Sequence, residues 1–96
     1  MTTVMAQGTF DLLHPGHIKY LENSSSLGDE LVVVIARDSR VKNRKNLAFT
    51  EEERKEILQG LEAVDKAILG SEGDIYSTVR EVDPDIITIG YDQDHS

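Results

Sequence analysis

The stretch ELVVVIA, residues 30–36, is an almost unbroken run of aliphatic, mostly β-branched side chains. A strand with one wet face alternates apolar and polar residues, whereas a strand covered on both faces reads as a continuous apolar run. Such strands belong to parallel sheets, whose neighbouring strands are joined by crossover connections, usually helices. The flanking sequence supplies them. Residues 4–6 read as a short buried strand, and a loop over residues 8–15 leads into a helix expected over residues 16–27, with Ile18, Leu21 and Leu27 on one side. Gly28 then suits the left-handed position that stops helices.

Thr50 and Glu53 form a capping box, in which hydroxyl and carboxylate each accept from an otherwise unpaired backbone N–H. The helix it opens turns Ile57, Leu58, Leu61 and Val64 inward. KAIL, residues 66–69, reads as a third strand. A helix over residues 74–82 presents Ile75, Val79 and Val82, and Pro84 prevents it continuing. DIITIG, residues 85–90, reads as a fourth strand. The order β-α-β-α-β-α-β predicts an α/β fold, a Rossmann-like parallel sheet of about four strands with helices on both faces. Residues 1–96 make one domain. A further helix or strand is expected to cover Tyr91 onward, so the chain reads as the front of a longer protein that lacks the C-terminal part of its fold.

Composition removes several function classes. The absence of cysteine excludes disulfides, thiolate metal sites and a cysteine nucleophile. No apolar run approaches the roughly 20 residues of a membrane span, and MTTVMAQG lacks the pattern of a signal peptide. A cytoplasmic protein without a membrane partner is expected. A net charge of −8 argues against nucleic-acid binding through phosphates. Yet RDSRVKNRK, residues 37–45, holds five of the ten basic residues and one acid, Asp38. A local basic segment in an acidic chain points to a grip on a small anion, with a solvated loop as the alternative.

In parallel sheets ligands sit beyond the carboxyl ends of the strands. QGTFDLLHPGH, the start of the basic loop and GYDQDHS would gather there. The first of these carries neither a G-x-G-x-x-G turn nor a Gly-Lys-Ser/Thr phosphate loop. Pro15 keeps His14 out of helical geometry, while His17 falls in the first helical turn. The two imidazoles therefore converge where unpaired N–H groups and the helix dipole favour an anion, and Gly16 permits close approach to the backbone. Paired imidazole donors suit a phosphoryl group whose charge grows during transfer. The alternatives are an H-x-x-H metal pair with Asp11 as the only close third ligand, and two structural histidines flanking a turn. A Ser-His-acid triad lacks its serine on a strand-to-helix elbow.

GTFDLLHPGH resembles the HxGH signature of the cytidylyltransferase-like nucleotidyltransferases. SLGDELVVVIARD, VK in the next loop, EEERKEIL, VDKAILG and PDIITIGYDQ follow in the order found in the archaeal FAD synthase branch, so the likeness covers nearly the whole chain. The glycerol-3-phosphate cytidylyltransferases are near relatives. The resemblance implies that the phosphate of FMN attacks the α-phosphorus of ATP, giving FAD and pyrophosphate with a divalent metal, Mg²⁺. It implies that His14 and His17 steady the triphosphate, that Thr9 and Phe10 supply contacts beside them and that Gly16 leaves room for the nucleotide. Asp11 would order the loop or the metal. Either Lys42 or Lys45 matches the family's phosphate-gripping lysine. Arg54 matches the arginine of the family's ER helix, against a surface i,i+4 pair as the alternative. Asp65 resembles an aspartate near the sheet edge. Gly90, Tyr91 and Asp92 would hold base and ribose. The resemblance names no protein ligand for the metal, since triphosphates supply much of the coordination themselves, and it allows a homodimer.

Family members carry a later Ser/Thr-rich segment that closes over the triphosphate, and a segment of that kind is absent from these 96 residues. Two other functions stay open. One is transfer from CTP to glycerol 3-phosphate, which needs a small basic pocket rather than a broad apolar one and so suits a chain with two Phe and three Tyr. The other is a non-catalytic nucleotide-binding module.

Overall fold

The computed structural model describes residues 1–40, 47–71 and 75–89. Its strands are β1 (Thr3–Gly8), β2 (Glu30–Ile35), β3 (Lys66–Leu69) and β4 (Ile86–Ile87), and its helices are α1 (Pro15–Ser25), α2 (Glu51–Gln59) and α3 (Ile75–Val82). A single 3-10 turn, Asp38–Arg40, follows β2. All strand pairs are parallel and the sheet order is β3-β2-β1-β4. The chain thus steps outward from β1 to β3 and then returns to the far side of β1. That reversal leaves a crevice between the carboxyl ends of β1 and β4, where open α/β sheets take their ligands. No described helix is long and apolar enough to cross a membrane.

The register explains the core. Val4 stands opposite Leu31, Ala6 opposite Val33, and Val33 opposite Ala67, all on one face of the sheet. With Ile35, Leu21 of α1, Leu58 of α2 and Val64 they form the main apolar cluster. α1 packs on β1 and β2, and α2 on β2 and β3. Right-handed crossovers place those two helices on one face and α3 on the other. Residues 31–35 are all buried, as their continuous apolar composition requires. The Thr50–Glu53 capping box is formed in both directions.

Several expectations need correction. Gly28 does not end α1 in the left-handed region, since no glycine among the described residues has a positive φ and Ser26 caps the helix in right-handed geometry. Its reason is space. A Cβ at position 28 would lie 2.7 Å from the Thr2 carbonyl oxygen and 2.8 Å from Val4 Cγ2. The Asp29 and Glu30 amides donate to that same carbonyl at 2.7 and 3.1 Å, so the backbone closes tightly here. Leu27, beyond the helix, stays outside the core at 52% exposure. Ile57 lies at the rim, and Leu61 and Val64 reach the core from the turn after α2, which ends at Gln59. β4 pairs over two residues rather than over the whole of residues 85–89, and Gly90 lies outside the described residues.

Candidate functional site

At the end of β1 the chain turns sharply. Phe10 has φ 53°, a left-handed conformation that a bulky residue adopts only under surrounding constraint. Packing supplies it. The Phe10 ring is 6% exposed within the core cluster, stacked on Tyr20 (centroids 6.4 Å apart, 11° between planes) and edge-on to His17 (5.6 Å, 69°). Its side chain therefore supports His17 from inside, and only its backbone faces outward.

His14 is the N-cap of α1, with φ −138° and ψ 170°. Pro15 fills the first helical position, where a missing N–H costs nothing. The cap bond is unusual: Nδ1 of His14 accepts from the Gly16 amide at 3.0 Å. Serine, threonine, asparagine or aspartate ordinarily does this with a side-chain oxygen. Because Nδ1 accepts, it carries no proton, and the proton of the neutral ring sits on Nε2. The helix start thereby fixes the tautomer and aims an N–H donor away from the backbone. The His14 carbonyl accepts from His17 N at 2.9 Å and Ile18 N at 3.2 Å. The His14 and His17 ring centroids lie 3.9 Å apart, tilted by 33°. Nδ1 of half-buried His17 is turned inward. A Cβ on Gly16 would stand 2.7 Å from His14 Cε1, so the space over Gly16 is claimed first by the His14 ring.

Asp11 faces the other way. Its carboxylate accepts from Ala48 N (2.9 Å to Oδ2) and Phe49 N (3.0 Å to Oδ1), tying the first turn to the entry of α2. Among the described residues no group of three or more acidic or histidine side chains could hold a metal ion.

Arg54 is fully buried, which overturns the surface-pair alternative. Its Nη1 donates to the carbonyls of Thr9 (2.8 Å) and Ala36 (2.9 Å), Nε to that of Phe49 (3.4 Å), and Nη2 pairs with the Asp38 carboxylate. Asp38 N donates to Glu51 Oε1 at 2.8 Å, and Glu51 N donates back to Asp38 Oδ2 at 3.4 Å. Arg37 adds bonds to the Gly70 carbonyl (2.6 Å) and to Glu51 Oε2 (3.4 Å). Two arginines thus clamp the segments leaving β1, β2 and β3 to the start of α2. The signal was present in the sequence: Arg54 stands four residues before Leu58, on the inward face. Asp65 is likewise structural, its Oδ2 accepting from Leu31 N at 2.7 Å.

The structure therefore brings His14, Gly16, His17, Thr9 and the Phe10 backbone to one place, with Asp11 and Arg54 behind them. Lys42, Lys45, Gly90, Tyr91 and Asp92 lie outside the described residues. Sequence reasoning missed Tyr20, Ser24 and Thr88, whose hydroxyls join α1 to the end of β4. The available signal was spacing, since Tyr20 follows His17 by one helical turn.

Residues 5–96 match the model of the cytidylyltransferase-like family. The chain is 57% identical to the FAD synthase of Methanothrix thermoacetophila, over 97% of this chain and 65% of that protein. It is 54% identical to the FAD synthase of Methanosarcina mazei, over 97% of this chain and 62% of that protein. The chain thus spans less than two-thirds of the length of these two curated relatives. It superposes on the crystal structure of the lipopolysaccharide core biosynthesis protein from Thermoplasma volcanium with a TM-score of 0.90 at 56% identity, covering 100% of this chain and 80% of that one.

Proposed function

The chain belongs to the cytidylyltransferase-like family, and from that premise we propose that its site transfers the adenylyl group of ATP to the phosphate of FMN. A phosphate oxygen of FMN bonds to the α-phosphorus while the bond from that phosphorus to the β-phosphate oxygen breaks. The electron pair leaves with pyrophosphate. No protein nucleophile is needed, so positioning and charge stabilisation carry the reaction. The observation that supports this most is the imidazole pair, 3.9 Å between centroids, at the first turn of α1.

In this reading the Nε2–H of His14 and the Nε2 edge of His17 donate to phosphoryl oxygens as charge develops on them. The start of α1 adds its amide dipoles. Lys42 or Lys45 grips the triphosphate from the basic segment, and Gly90, Tyr91 and Asp92 hold base and ribose. Arg54 and Asp11 are positioning residues, because their polar atoms are spent on the chain itself. The described residues do not form a protein cage for a divalent metal. Mg²⁺ would be held by the triphosphate's own oxygens and would offset their charge. The FAD synthase names of the relatives support FMN and ATP over glycerol 3-phosphate and CTP. A cytoplasmic setting fits those substrates.

The test is a side-by-side assay of the full-length protein with ATP and FMN, and with CTP and glycerol 3-phosphate, following pyrophosphate. FAD and pyrophosphate are expected from the first pair alone. His17→Ala is expected to lower turnover by about 100-fold or more with an unchanged melting curve. Turnover of the second pair would reassign the substrates, and ATP binding without pyrophosphate release would leave a binding module. Full activity in His17→Ala would refute the role of the pair.

A further inference from the structure

The β1–β4 ladder stops abruptly, and what replaces it has a defined geometry. Val4 stands opposite Ile86 and Met5 opposite Ile87, and Thr88 N donates to the Met5 carbonyl at 2.9 Å. In a parallel ladder each paired residue bonds to the residues flanking its partner. The next rung would therefore run from Gln7 N–H to the Thr88 carbonyl. Instead, Gln7 N–H donates to the Tyr20 hydroxyl at 3.4 Å, and that hydroxyl donates to the Thr88 carbonyl at 3.0 Å. A side chain from α1 has been inserted into the sheet where the next backbone bond belongs.

The inserted group is fully committed. A phenol has one proton to give and two lone pairs to accept with. The Tyr20 oxygen gives its proton to the Thr88 carbonyl and accepts from Gln7 N–H and from Thr88 Oγ1 at 3.1 Å. Thr88 Oγ1 accepts in turn from Ser24 Oγ at 2.9 Å. The ring of Tyr20 is held by its stack on Phe10, which also meets His17. The spliced rung lies at the carboxyl ends of β1 and β4, on the crevice created by the reversal of strand order.

We propose that the Tyr20 hydroxyl is a wedge that ends β1–β4 pairing after Ile87 and sets the width of the crevice receiving the nucleoside. Tyr20 is then a positioning residue. Its use in nucleotide binding rests on the adenylyl-transfer reading, whereas the wedge itself is a property of the sheet.

Tyr20→Phe keeps the ring and its stack but removes the hydroxyl. Two measurements on the chain follow. The first is the NMR coupling across a hydrogen bond between Gln7 N and the Thr88 carbonyl carbon, absent in the parent and expected to appear in the variant as the strands close. The second is binding of ATP and of inorganic tripolyphosphate. ATP affinity is expected to fall about tenfold as the closed strands crowd the nucleoside, while tripolyphosphate affinity holds because the imidazoles have not moved. Failure of the coupling to appear would overturn the wedge. Equal weakening of both ligands, or of neither, would overturn its role in the crevice. A parent chain that does not bind ATP would sink the adenylyl-transfer reading alone, since the coupling still decides the wedge.

Discussion

Arg54 and the His14–His17 pair stand at the same end of the sheet, yet Arg54 is fully buried while His14 is exposed and His17 half-buried. The arginine spends its nitrogens on three carbonyls and a carboxylate of its own chain. The histidines spend one ring nitrogen on the helix start and lie side by side at its mouth. From sequence the two regions look alike, as charged or ring-bearing residues near the carboxyl ends of strands. Burial separates them. A cation in the interior must be matched by acceptors, because an unmatched one is too costly to keep. One matched in this way holds the frame rather than a ligand.

The sharpest way to break this comparison is Arg54→Met. It strands the carbonyls of Thr9 and Ala36 and the Asp38 carboxylate, and a loss of about 3–5 kcal/mol is expected in urea denaturation. That is a large share of the ~5–15 kcal/mol typical of a domain. A variant of normal stability that had lost only ligand binding would place Arg54 in the site instead. A smaller effect is expected at Gly28. Gly28→Ala and Gly28→Asn should each cost about 1–3 kcal/mol by crowding Thr2 and Val4. A left-handed glycine would instead tolerate asparagine better than alanine.

His14→Ala should cost about 1 kcal/mol through loss of the N-cap. His14→Asn should recover that stability without recovering turnover, which separates capping from ligand contact in a pair of thermal melts and assays. The smallest change belongs to Leu27→Ala, expected within about 0.5 kcal/mol of the parent because the side chain is exposed. A loss near that of a buried leucine would return it to the core.

The strands were legible because β2 is apolar throughout and the flanking segments carry helix caps, a breaking proline and short apolar runs. The turn at His14 was legible because proline restricts the residue before it. Three things were not. Arg54 matches a family arginine expected at the nucleotide, and only its position four before Leu58, on the apolar face, signals that its nitrogens are spent on the chain itself. The inward turn of the Phe10 ring is a second, because an aromatic next to a site motif does not reveal which way its side chain turns. The early end of β4 depends on a phenol from α1, a contact across 68 residues that no local pattern encodes.

The central claim is that both imidazoles contact one polyphosphate, with Nδ1 of His14 held unprotonated by the Gly16 amide. Imidazole ¹⁵N spectra of the chain, recorded while ATP is added, test it most directly. The account predicts that the ring signals of His14 and His17 move together along one saturation curve while His14 Nδ1 keeps the shift of an accepting nitrogen. Movement of one ring without the other, or of neither at saturating ATP, would contradict it.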